Sequence, residues 1–116
     1  MINIKRIYEK QSKEDGYRIL VDRLWARGLT KEKASVDLWL KEIAPSNELR
    51  KWYSHDSAKW NDFRKKYRQE LKGKEDLLNR IKELEKKNGT ATLLFSSKED
   101  RLNNAVALKE MLDSKK

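Results

Sequence analysis

The chain has 116 residues, with 28 Lys and Arg against 19 Asp and Glu, for a formal net charge of +9. That length predicts a single domain over residues 1–116, and 41% charged residues, against an average of about 25%, would suit a disordered chain were it not for four Trp, four Tyr and two Phe. The absence of cysteine excludes disulfides, thiolate catalysis and Cys-ligated metal. A single histidine among scattered carboxylates has no metal-ligand spacing. There is no GxGxxG or GxxxxGK[ST] motif, so neither a metal nor a cofactor is expected. No stretch approaches the roughly 20 apolar residues of a membrane span, and MINIKRIYEK lacks a secretory apolar run, so a cytoplasmic protein with no membrane association is expected.

In chain order, Ile2, Ile4, Ile7 and Tyr8 predict a first strand, because β-branched and aromatic side chains suit a pleated, half-buried surface. Residues 10–16 are a polar connection. Tyr17 to Leu24 is a short apolar run bounded by charge, the pattern of a buried strand. Residues 30–37 are polar, and 37–43 is compatible with a third strand or a short helix. Pro45 disfavours helical geometry at Ala44, and Ser46 is placed to cap a helix from Asn47. Trp60, Phe63, Tyr67 and Leu71 recur at helical spacing, so this stripe is read as core, with Gly73 as its stop. A second long helix opens with Glu75 and Asp76, buries Leu77, Leu78, Ile81 and Leu84, and ends at Asn88-Gly89. Residues 90–95, TATLLF, read as a strand covered on both faces. Ser97, three residues before Asp100, is close to a capping box for a last helix with Leu102, Ala105, Val106, Leu108 and Leu112 inside. The order predicts an α/β fold, a small mainly parallel sheet covered by helices in one layered domain.

Ligands of open α/β sheets bind outside the carboxyl ends of the strands. Two predicted strands bring polar groups there: Asp22, Arg23 and Arg27 after the second, and Ser96, Ser97 and Lys98 after the fourth. The serine turn at a helix start could hold an anion, the arginines could close on it as forks, and Asp22 could orient an arginine or act as a base. His55 is the only side chain whose unperturbed pKa lies near neutrality, which makes it the other acid/base candidate. Trp25, Trp39, Trp52 and Trp60 could all be core, or at least one could line a pocket. Lys59 to Arg68 alone carries +4, a basic helix surface able to attract polyanions.

Five blocks, LVDRLWARG (20–28), DLWLKEIAPS (37–46), LRKWYSHD (49–56), KWNDFRKKYRQEL (59–71) and TLLFSSKEDRLNNAVALKE (92–110), resemble the YeaO-like family of bacterial proteins, a domain of unknown function (488). The resemblance covers almost the whole chain and implies a small cytoplasmic α/β domain without an established activity. Asp22, Arg23, Trp25, Arg27 and Gly28 match its Asp-Arg and Trp-Pro-Arg-Gly elements, with Ala26 in place of the proline. It also implies roles for Lys41, Pro45 and Ser46, for Arg50, Trp52 and His55, and for Asn103 and Ala105. Three readings follow. The first is a binding domain for an anionic ligand, a phosphorylated metabolite, nucleotide or nucleic acid, through Arg23, Arg27, Lys41, Ser46, Ser96, Ser97, Lys98 and Asn103. The second is a cofactor-independent enzyme using Asp22 or His55. The third is an interaction protein whose basic helices, with Lys65 and Lys66, dock an acidic partner.

Overall fold

The computed structural model describes residues 1–54 and 56–114, so His55 lies outside the described residues. Four strands, β1 (Ile2–Arg6), β2 (Tyr17–Leu20), β3 (Leu38–Trp39) and β4 (Ala91–Phe95), form one sheet in the order β1-β4-β2-β3, with every pairing parallel. Among the described residues five helices surround it: α1 (Lys31–Ala34), α2 (Asn47–Tyr53), α3 (Trp60–Leu71), α4 (Glu75–Asn88) and α5 (Asn104–Ser114). This is the expected α/β fold. None of the described helices is long and apolar enough to cross a membrane.

The sheet owes its position to β4, all five of whose residues are buried. Alternate side chains of a strand point to opposite faces, and both faces are buried here. Ala91, Leu93 and Phe95 join Ile19 and Val21 in a large core with α2, α3, α4 and α5, through Tyr53, Phe63, Tyr67, Ile81 and Leu108 among others. Leu94 and Leu20 point the other way, into a smaller cluster with Ile7, Ala26 and Ala34, edged by Trp25 and Trp39. The aromatic stripe of α3 is therefore core, as its spacing predicts, with Phe63, Tyr67 and Leu71 buried.

Several elements depart from the sequence reading. β2 ends at Leu20, short of the predicted Leu24; Val21 N–H still donates to Leu94 O before the chain leaves the sheet. The ambiguous 37–43 segment is both alternatives in turn, the two residues of β3 followed by a 3-10 turn at Lys41–Ile43. Residues 30–37, polar in sequence and given no element there, contain α1, whose first turn is capped by Thr30 Oγ1 accepting from Lys33 N–H. Ser97 does not cap the last helix. Its hydroxyl accepts from Glu99 N–H in a turn, and α5 begins seven residues later with Asn103 as its cap, Asn103 Oδ1 accepting from Val106 N–H at 3.0 Å. Ser46 caps α2 as expected, through Leu49 N–H.

Candidate functional site

A cavity of about 370 Å³ opens where the carboxyl ends of β2 and β4 meet α2 and the start of α5, within the roughly 300–1,000 Å³ of small-molecule sites. Its polar floor follows from strand register. β2 and β4 pair Tyr17 with Ala91 and Leu20 with Leu94, so Asp22 falls opposite Ser96. Asp22 Oδ2 accepts from both Ser96 N–H and Ser96 Oγ–H at 2.8 Å, while Asn104 Nδ2 donates to Asp22 Oδ1 at 3.1 Å and to Val21 O at 3.0 Å. The carboxylate thus ties the two central strands to the first residue of α5. Committed to three donors, it braces the floor, a different role from the base considered from the sequence.

The wall from residues 43–45 is held from two sides. Tyr67, fully buried, donates its hydroxyl to Ile43 O at 2.6 Å, and burial, with Glu70 nearby, pushes its pKa well above the ordinary phenol value. Arg23 donates through Nε to Pro45 O and through Nη2 to Ala44 O, both at 3.1 Å, leaving Nη1 without a partner among the described residues. Tyr67→Phe would strand the Ile43 carbonyl, and a loss of ~1–3 kcal/mol in denaturant unfolding is expected. Leu24, Ala44, Pro45 and Phe63 make the cavity's apolar part, and Tyr53 stacks on Phe63 at 4.4 Å. Tyr53 donates to Leu102 O at 2.8 Å, pinning the turn after β4; burial, then the charges of Glu99 and Asp56, raise its pKa, so the phenol stays protonated at neutral pH.

The cations of the rim come from α2. Arg50 and Lys51 line the cavity and are exposed, and their side chains make no hydrogen bond or ion pair among the described residues. With Arg23 they set three positive groups against the single carboxylate of Asp22. Asn103 and Asn104 add the positive end of the α5 dipole to the same rim.

Of the residues singled out in the sequence, Asp22, Arg23, Pro45, Arg50, Ser96, Ser97 and Asn103 converge on this cavity. Others do not. Arg27 is exposed on the loop after β2, its carbonyl accepting from Tyr8 OH. Lys41 lies over the Trp39 ring at 5.1 Å, and Lys98 is exposed outside the cavity. Ser46 is occupied, donating through N–H and Oγ–H to Glu70. Asn103, though at the cavity, spends both ends of its amide on Val106 N–H and Glu99 O. None of the four tryptophans lines the cavity; Tyr53 and Phe63 supply its aromatic surface. Lys51, Tyr53, Ser54 and Asn104 were missed. Part of the signal for the α2 group was present, since Arg50 and Tyr53 stand three residues apart on one face of α2.

All 116 residues match the family model DUF488-N3i, described as the inactive DUF488-N3 subclade. The uncharacterized protein YeaO of Escherichia coli (strain K12) is 42% identical over 113 residues, covering 97% of this chain and 97% of its own length. The uncharacterized proteins Mb3100c of Mycobacterium bovis and Rv3073c of Mycobacterium tuberculosis are each 41% identical over 70 residues, covering 60% of this chain and 59% of theirs. No solved structure matches the chain.

Proposed function

The chain belongs to the DUF488-N3i family, and from that membership and its carboxyl-edge cavity we propose that it is a binding protein for a phosphate-bearing ligand, a phosphorylated metabolite or a nucleotide. The carrying observation is that Arg50 and Lys51 line the cavity with no ion pair or side-chain hydrogen bond among the described residues, beside the spare Nη1 of Arg23. Unpaired guanidinium and ammonium groups at a concave site favour an anion, and charge-assisted bonds to phosphate are the stronger class of hydrogen bond. The apolar wall of Leu24, Pro45 and Phe63 suits a ligand with a non-polar body beyond its charged group.

Binding is favoured over turnover by the state of Asp22, whose carboxylate is spent on Ser96 and Asn104. The family's description as an inactive subclade agrees with that reading.

Thermal melting with inorganic phosphate, nucleoside monophosphates and phosphorylated sugars tests the proposal. A ligand at 100 times its Kd stabilises by about 2.7 kcal/mol, so at least one of these should raise Tm by several degrees. In Arg50→Ala/Lys51→Ala the rise should shrink to that of a ligand bound about 10-fold or more weaker, with the unliganded Tm unchanged because both side chains are exposed. No shift with any of these anions, or an undiminished shift in the double variant, would overturn it.

A further inference from the structure

We infer that the cavity is one end of a longer track for single-stranded nucleic acid, with Trp52 as the platform on which a base stacks. The inference rests on the reading of the cavity as a phosphate site for one end of that track, while Trp52 supplies a separate and separately testable contact.

Trp52 stands out from the other tryptophans. It is 37% exposed, on α2 immediately after the rim residues Arg50 and Lys51, whereas Trp25, Trp39 and Trp60 are half-buried against neighbouring rings. Its own surroundings are cationic. Lys59 Nζ lies 5.0 Å and Lys66 Nζ 5.1 Å from the ring centroid, and Lys59 is fixed there by donating to Trp52 O at 2.8 Å. Both ammonium groups lie over the indole, so a base stacking on it takes the place of Lys66, the one not held by a hydrogen bond, and that ammonium then meets a flanking phosphate. Lys66 is one of five basic residues in the 59–68 segment, which carries +4, and Lys51 joins this patch to the cavity along α2. A small anion confined to the cavity would leave this charge and the indole unused. An acidic protein partner would use the charge but gain nothing specific from a stacking face. A duplex keeps its bases stacked internally and would also leave the indole idle.

The test is fluorescence anisotropy of a labelled short oligothymidylate, with the matching duplex for comparison, across a salt series. Wild type should bind the single strand in preference to the duplex, with affinity falling steeply as salt rises. Trp52→Ala should weaken single-strand binding about 10-fold or more with an unchanged salt slope, and Trp52→Phe should restore most of the loss. Lys66→Gln should lower the slope of log affinity against log salt by about 0.7. Undetectable binding at low salt, equal affinity for duplex, or full affinity in Trp52→Ala would each overturn the inference, as would displacement by polyglutamate that is insensitive to Trp52→Ala. Failure of the cavity reading looks different. Phosphate and mononucleotides would then give no Arg50-dependent melting shift, while the oligonucleotide would still lose affinity with Trp52.

Discussion

Asp15→Ala is expected to destabilise the protein by ~3–5 kcal/mol, the usual consequence of removing one partner from a buried ion pair. Arg18 is buried to 1% exposure within β2, and its guanidinium is shared between Asp15 Oδ2, Ser35 O and Ala34 O. Without Asp15 the positive charge stays in place with carbonyls alone. The same carboxylate accepts from Ser12 N–H and from Lys5 Nζ, so its loss also frees the 3-10 turn at Lys13–Asp15 from β1. At about 3 °C per kcal/mol for a domain of this size, Tm should fall by about 10–15 °C. Asp15→Leu combined with Arg18→Met, which removes both charges, should recover much of the loss.

The pair also sets an acid limit. Burial alone would raise the Asp15 pKa, but the Ser12 N–H and the Lys5 and Arg18 side chains outweigh it and hold the group below its ordinary value of 3.8. A carboxyl depressed in the folded state contributes stability that is present above its unfolded pKa and lost as pH falls through the folded one. Wild type should therefore lose stability on acidification below about pH 4, and Asp15→Ala should lose less over the same range. Denaturant midpoints at pH 7 and pH 3 give the comparison, and equal acid sensitivity in the two proteins would remove Asp15 from this role.

The parts of the fold legible in the sequence were those whose signal is local. TATLLF is too short and too apolar for a surface helix, and Ala91–Phe95 is the central strand; Gly73 and Asn88-Gly89 end α3 and α4 where the periodicity stops. What could not be read was decided at a distance. The α1 segment has one buried residue, Ala34, so no apolar period marks it, and its carboxyl end is completed by Arg18 from β2 bonding the Ala34 and Ser35 carbonyls. Ser97 with Asp100 mimics a capping box, yet Glu99 Oε1 takes the N–H groups of Arg101 and Leu102, turning the chain so that Asn103 becomes the cap. In the candidate site, the rule about carboxyl strand ends found Asp22, Arg23, Ser96 and Ser97 because all four follow parallel strands. It failed for Arg27 and Lys98, which also follow those strands but lie outside the cavity, and it gave no sign of Lys51, which in sequence looks like any solvated lysine of a short helix.

Gly16→Ala should be comparably damaging, and it links stability to the site. Gly16 has φ +63°, where a side chain costs ~1–3 kcal/mol, and a Cβ built there would lie 2.2 Å from Thr90 O. That oxygen accepts the Tyr17 N–H at 2.9 Å, the rung that begins the β2–β4 ladder. Relieving the overlap means moving backbone, which adds ~1–3 kcal/mol as overpacked sites do. Gly28→Ala isolates the two contributions, because Gly28 has φ +83° but nothing within 4 Å of the added Cβ; it should cost only the ~1–2 kcal/mol of the left-handed backbone. The larger loss at Gly16 carries a second consequence. The rung it disturbs sets the register that places Asp22 opposite Ser96, so Gly16→Ala should weaken phosphate-dependent stabilisation as well as lowering Tm, whereas Gly28→Ala should lower Tm alone. Melting curves with and without phosphate separate the two outcomes, and equal losses in the two variants would show that Thr90 O accommodates the methyl group without disturbing the ladder.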